Sequence, residues 1–184
     1  RKFQAEAPVA RARLYMTAHG VYECYLNGNK AADVCLAPEF TTDDKLLKYQ
    51  VYDVTNAVLV GENAIGVVIA DGWYKGKIAN GRGCEYGDNP GLLLELHLAY
   101  TDGRTECITS DEQMVFSYDS PYQRADIYHG ETFDARKRVK DFGSVSMDAS
   151  NWKPVRKVPF EKNVLTVQTD APIRKIAELE PKAL

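Results

Sequence analysis

VYECYLNGNK (residues 21–30) is the stretch that decides the fold class. From Val21 to Leu26 the side chains alternate, with Tyr22, Cys24 and Leu26 on one face and Val21, Glu23 and Tyr25 on the other. A period of two fits a strand and not a helix. Asn27-Gly28 follows at once, and this pair suits a type I′ turn because both of its central residues need positive φ. A hairpin is therefore expected, with its return strand starting at Asn29 or Lys30.

The same pattern extends in both directions. RARLYMTA (11–18) carries strand-forming types until His19-Gly20 breaks the run, and YQVYDVT (49–55) alternates before NAVL, which reads as a single helical turn capped by Thr55 or Asn56. AIGVVIA (64–70) is apolar on both faces, as a strand in the middle of a two-layer core would be. LLLELHLAY (92–100) is the strongest strand, Asp102-Gly103 is a second hairpin turn, and RTECIT (104–109) is its partner. CLAPEFTTDDK (35–45) has no period and reads as a long loop. So does the segment from Trp73 to Pro90, which is rich in glycine, Asn and Asp. Residues 111–142 give weak strand signals and no assignment, while VLTVQ (164–168) and IRKIAEL (173–179) are strand-like.

At least eight short strands at regular spacing, with almost no helical periodicity, imply an all-β fold: a two-sheet antiparallel β-sandwich of jelly-roll type. A β-barrel is left open by pattern alone. Residues 1–160 read as the sandwich and residues 161–184 as a linker with the start of a following β domain.

Composition excludes several functions. Among 184 residues, 23 Lys and Arg against 26 Asp and Glu leave a net charge of −3, without the basic clusters that neutralise a row of phosphates. Nucleic acid is not an expected partner. Nor is a membrane, because no apolar run approaches the roughly 20 residues that cross a bilayer. The chain starts at Arg1 without a charged, then apolar, leader, and reads as a piece cut from a longer protein. Cys24, Cys35, Cys84 and Cys107 form no CxxC and have no His at zinc-finger spacing, so buried free thiols are expected in place of a metal site or disulfides.

Catalytic motifs are missing from the sequence. There is no GxSxG, no Walker loop and no HExxH; His19 sits at a turn, His97 inside an apolar strand where it reads as packed, and His129 stands alone. Two clusters rise above this background. Asp43 and Asp44, after Thr42, together with Asp88 and Asn89 supply the hard oxygens that Ca²⁺ prefers, although Asp and Asn also cap turns through their own backbone. Trp73, Tyr74 and Tyr86, on the glycine-rich loop, offer aromatic faces on which the apolar side of a sugar ring stacks. Closure of the core is an equal reading for Trp73.

ARLYMTAHGVYECYLNGNKAADVCLAPEFT, YQVYDVTNAVLVGENAIGVVIADGWYKG, YGDNPGLLLELHLAYTDGRTECITSDEQ and DIYHGETFDAR, in that order over about residues 10–138, resemble the N-terminal β-sandwich domain of bacterial α-L-rhamnosidases. DVT, GEN, DGWYKG and YHGETFDAR are specific together, while DVT with GEN recurs in galactose-binding-like sandwiches. From Trp152 onward, including Ala171-Pro172-Ile173-Arg174 and Glu180-Pro181, the chain resembles the family's linker and the opening of its next β domain.

The resemblance implies a parent hydrolase that releases terminal α-L-rhamnose with inversion, using carboxylic acids of a downstream (α/α)₆ barrel. No position here matches that barrel. The implied role is a non-catalytic accessory domain, partnered by the catalytic region of the same chain and by rhamnose-containing glycans. In some members the corresponding sandwich holds rhamnose through calcium, which draws attention to Asp43, Asp44, Asp88 and Asn89. An independent carbohydrate-binding module of another enzyme or adhesin is the alternative, and a catalytic sandwich a third. The family's usual setting favours the periplasm or secretion. The YHGETFDAR segment, with Tyr128, Glu131, Asp134 and Arg136, reads as a buried ion-pair turn or an inter-domain latch.

Overall fold

The hairpin expected at Val21–Lys30 is present: Asn27 and Gly28 take φ of 52° and 83°, and Leu26 then pairs with Asn29. The computed structural model describes residues 1–182. Its strands run in the order β1 (Lys2–Ala5), β2 (Val9–His19), β3 (Val21–Leu26), β4 (Asn29–Lys30), β5 (Leu47–Asp53), β6 (Gly61–Ala70), β7 (Gly91–Tyr100), β8 (Thr105–Thr109), β9 (Val115–Phe116), β10 (Tyr122–Asp126), β11 (Gly130–Phe133), β12 (Lys153–Pro154) and β13 (Leu165–Val167). One sheet has the order β1-β6-β3-β4 and the other β13-β5-β2-β7-β8, while β10-β11 and β12-β9 form small pairs apart from them. All pairings are antiparallel except β13 against β5.

The core lies between the two main sheets, and strand alternation fills it. Tyr22, Cys24 and Leu26 point inward from β3, and Leu94, Leu96, Leu98 and Tyr100 do so from β7. Register aligns Leu14 of β2, Leu96 of β7 and Ile108 of β8 across the five-stranded sheet, and all three are buried. The apolar outer face of β6 is explained by its central place in the smaller sheet and by cover outside it. Phe142 packs edge-on to Tyr25 of the neighbouring strand, with ring centroids 5.4 Å apart.

Several expectations change. His97 falls on the odd-numbered face of β7 and is exposed to solvent, not packed, since alternation outweighs its apolar neighbours. The helical turn is a 3₁₀ turn over Thr55–Ala57, and neither Thr55 nor Asn56 caps it; Asp53 Oδ1 instead accepts from the Thr55 amide and hydroxyl. All four cysteines are free, but only Cys24 is buried, while Cys84 and Cys107 are exposed. Residues 111–142 hold β9, β10 and β11, which present little or no buried face and so carry little alternation to read. In the YHGETFDAR segment Arg136 grips Asp134 through two hydrogen bonds of 2.8 and 2.7 Å, at the surface and not in the interior. Tyr128 and Glu131 are exposed.

Of the two strand-like stretches in the C-terminal segment, VLTVQ supplies a strand and IRKIAEL does not. Past residue 160 the chain adds β13 to the larger sheet, after which Gln168 Nε2 donates to Glu39 Oε1 and the Cys35 amide donates to the Ile173 carbonyl. IRKIAEL forms no strand, because no sheet edge runs beside it. Ile176 and Leu179 stand almost fully exposed.

Candidate functional site

One end of the sandwich gathers the long loops. β2 ends there at His19, opposite Gly91 at the start of β7, and β6 ends at Ala70, opposite Val21. The loop of residues 71–90 must therefore start and finish at this rim. The loop leading into β5 reaches the same end, because β5 runs antiparallel to β2 and so starts at the end where β2 finishes, with Asp43 and Asp44 just before it. Two segments far apart in sequence are thus placed side by side by sheet order alone.

The rim aromatics form two groups. Tyr74 stacks flat on His19, with centroids 4.2 Å apart and planes at 7°, and Phe160 meets the His19 ring edge-on at 5.6 Å. Burial lowers the His19 pKa, so the ring against Tyr74 is neutral at neutral pH. Gly87 lies against the hydroxyl end of Tyr74, where an added Cβ would come under 3.0 Å from the hydroxyl oxygen and two ring carbons, so a larger residue there would push the Tyr74 ring off its place. The Tyr86 amide donates to the Tyr74 carbonyl at 3.3 Å, joining the two halves of the loop. Trp73 turns the other way, half-buried, against Phe40 at 5.7 Å; Phe40 itself is 50% exposed.

The acidic residues flank these rings. Desolvation raises the Tyr74 pKa first, and the charges of Asp43 and Asp88 add to it; for Tyr86 burial again leads, with Asp43, Asp44 and Glu85 behind. Charges from both acidic pairs are thus felt at Tyr74. Each is also tied locally: Asp43 Oδ1 accepts from the Thr41 hydroxyl at 3.0 Å, and the Asn89 amide donates to Asp88 Oδ1. Calcium takes about six to eight oxygens at roughly 2.3–2.6 Å. Among the described residues, three acidic, His or Cys donors come within 4.8 Å of one another only at Glu95, His97 and Cys107, away from this rim.

Asp43 is only 8% exposed, and burial holds its carboxyl up at about 6, with the Thr41 hydroxyl opposing and the Asp44 charge reinforcing the rise. The folded chain thus holds this proton more tightly than the unfolded chain, whose aspartates titrate near 3.9. The resulting stabilisation is full below that value and is lost as pH climbs through about 6. Asp43→Asn keeps an acceptor for Thr41 and removes the titration. Relative to the parent, the variant is expected to gain about 1 kcal/mol between pH 4 and pH 7, after discounting for the solvent the carboxyl still meets. Urea unfolding of both chains across that range measures it, and a difference that stays flat with pH contradicts it.

Sequence reading missed Phe40, Phe160 and His19 as partners of the rim. Phe40 and Phe160 lie in segments without period, and only the folded loops bring them to Trp73 and His19. The known proteins most informative for this geometry are long enzymes. The profile of the family described as "Alpha-L-rhamnosidase N-terminal domain" matches residues 7–177. The chain belongs to the α-L-rhamnosidase N-terminal domain family. An α-L-rhamnosidase of Streptomyces avermitilis is 40% identical over 172 residues, which cover 93% of this chain and 17% of that protein. The crystal structure of native α-L-rhamnosidase from Aspergillus terreus superposes with a TM-score of 0.93 at 34% identity, over 96% of this chain and 21% of that one. That of the Streptomyces avermitilis enzyme complexed with L-rhamnose gives 0.89 at 38%, over 97% and 17%. This rhamnosidase N-terminal domain therefore spans about a fifth of the length of the relatives it matches. The superposition bears out the all-β, two-sheet reading.

Proposed function

We propose that the chain is a non-catalytic accessory domain of an α-L-rhamnosidase, acting as a scaffold for a catalytic region carried elsewhere on a longer chain. The parent activity in this reading is release of terminal α-L-rhamnose from glycans with inversion. Such chemistry needs one carboxyl as acid and another as base, about 6.5–9.5 Å apart across an open cleft. The observation that carries the scaffold reading is the engagement of the rim. Tyr74 is held between His19 and Gly87, and the Asp43 and Asp88 carboxylates accept bonds from their own loops. Exposed Ile176 and Leu179, apolar and uncovered among the described residues, support a neighbouring protein surface beyond the sandwich. Pairing of β13 and the bond to Ile173 support placing the end of the structural unit near residue 173.

A second reading rests on Phe40. Half-exposed beside Trp73, it offers a ring face on which rhamnose would stack. Isothermal titration of the chain with L-rhamnose, with added calcium and with a chelator, separates the two. The scaffold reading expects no saturable heat at millimolar sugar and no hydrolysis of an aryl α-L-rhamnoside. Saturable heat that Trp73→Ala reduces at least tenfold in affinity replaces it with sugar binding at Phe40 and Trp73; dependence on calcium would further assign a metal. Hydrolysis by the purified chain overturns the non-catalytic role.

A further inference from the structure

The outer face of the five-stranded sheet carries a group of side chains that the rhamnosidase reading does not use. His97 on β7 and Cys107 on β8 are directly opposite in register, and Glu95 precedes His97 by two residues, hence on the same face. Strand alternation and cross-strand pairing thus put a carboxylate, an imidazole and a thiol together without any loop. Glu95 Oε2 lies 3.0 Å from His97 Nε2, and Cys107 Sγ lies 3.6 Å from the same nitrogen. All three donor atoms fall within 4.8 Å of one another.

These separations can be compared with the edges of a tetrahedral zinc site. Bonds of about 2.0 Å to nitrogen and oxygen and about 2.3 Å to sulfur place N and O about 3.3 Å apart, and N and S about 3.6 Å apart. The observed edges from His97 Nε2 match both within a few tenths of an ångström, and the third edge, from Glu95 Oε2 to Cys107 Sγ, lies within 4.8 Å. The Tyr15 ring packs edge-on to the imidazole at 5.2 Å and limits its rotation. A shallow cleft of about 370 Å³, lined in part by Arg11, Arg13, Tyr15, His97 and Cys107, leaves room for a water as the fourth ligand.

Nearby cations oppose such an ion, and their commitments are visible. Arg13, opposite His97 in the β2 register, holds Asp53 at 2.6 Å. Lys162 reaches Glu95 through Oε1, at 3.9 Å, which leaves Oε2 toward His97.

We propose that Glu95, His97 and Cys107 form a binding site for a borderline divalent transition cation of the zinc class, cross-bracing β7 and β8. On binding, the Cys107 thiol gives up its proton to solvent, the neutral His97 imidazole keeps its one proton on Nδ1 and ligates through the Nε2 lone pair, the ion sheds waters, and bonds form to Sγ, Nε2 and Oε2 without any redox change. Thiolate, imidazole and carboxylate together suit zinc or cobalt and disfavour calcium or magnesium.

Cobalt(II) is the probe, added to the reduced chain in a non-thiol reductant. Expected are one equivalent bound, a thiolate-to-cobalt charge-transfer band in the near ultraviolet, and displacement of that band by zinc. Cys107→Ser abolishes the band, and His97→Ala weakens cobalt binding at least tenfold. Cys84→Ser, which alters the other exposed thiol, leaves both unchanged. Far-ultraviolet circular dichroism checks that each variant is folded. A reduced, folded parent chain that shows no saturable cobalt or zinc binding overturns the proposal, as does a band that survives Cys107→Ser.

Discussion

Asn63→Ala is expected to destabilise the chain by about 3–5 kcal/mol, the cost of leaving several buried polar groups without partners at once. Asn63 is 0% exposed, and its side chain is a hub. Oδ1 accepts from the Leu59 amide and from Asn27 Nδ2, both at 2.8 Å, while Nδ2 donates to the carbonyls of Leu59 and Gly61 at 2.7 and 2.9 Å. Asn27 in turn donates to the Ala57 carbonyl and accepts from the Ala64 amide. The two amides therefore fasten the tip of the β3–β4 hairpin, the 3₁₀ turn and the start of β6 into one network. Alanine leaves two donors and two carbonyls facing a dry gap. Asn63→Asp is expected to rescue little, because its second oxygen would confront the Leu59 and Gly61 carbonyls in a buried site. Urea unfolding followed by tryptophan fluorescence measures both variants; a loss below about 1 kcal/mol for Asn63→Ala would show that water replaces the side chain and that the hub holds nothing.

That network marks the limit of what the sequence makes legible. Strand β3, its Asn27-Gly28 turn and the β7–β8 hairpin are written in local code, in alternation and in residues that tolerate positive φ. The Asn27 side chain could be assigned to a turn, but its bond to Asn63 spans 36 residues and depends on β3 pairing with β6. The GEN motif could be noticed in the sequence; its meaning, a buried amide anchored at both ends, needs the sheet. β11 has every residue exposed, so no hydrophobic face imposes a period, and the hairpin it forms with β10 escaped a reading based on periodicity. IRKIAEL fails in the opposite direction, since alternation without a neighbouring edge leaves an extended chain unpaired.

The rim shows the same division. Trp73, Tyr74 and Tyr86 stand out as aromatics on a glycine-rich loop, and Asp43 and Asp88 as oxygen donors, from residue type alone. Their opposite fates, Tyr74 locked on His19 and Trp73 set beside exposed Phe40, follow from which strand ends meet at that rim. Glu95, His97 and Cys107 were only partly within reach of the pattern: β7 and β8 were expected to pair, but counting back from a two-residue Asp102-Gly103 turn sets Leu98 opposite Cys107, and the observed His97 pairing follows from a three-residue turn, Thr101 to Gly103, that joins Tyr100 to Arg104. Reading His97 as packed, on the strength of its apolar neighbours, concealed that face.

Leu96→Ala is expected to cost about 3–4 kcal/mol, within the range for truncating a fully buried leucine in a core that cannot collapse around the gap. Leu96 is 0% exposed at the middle of β7, flanked in register by Leu14 and Ile108, so strands on both sides hold the cavity open. Leu96→Met, which nearly conserves volume, is expected to cost less than about 1.5 kcal/mol. The adjoining residue supplies the control. His97 points to solvent, and in metal-free buffer His97→Ala is expected to stay within about 0.5 kcal/mol of the parent. A contrast this steep between adjacent residues is a property of register, because moving β7 by one position would exchange the two faces and reverse the two effects. Denaturant midpoints for the three variants therefore test more than one side chain. Equal losses at 96 and 97 would contradict the alternation that sends Leu96 to the core and holds His97 beside Cys107.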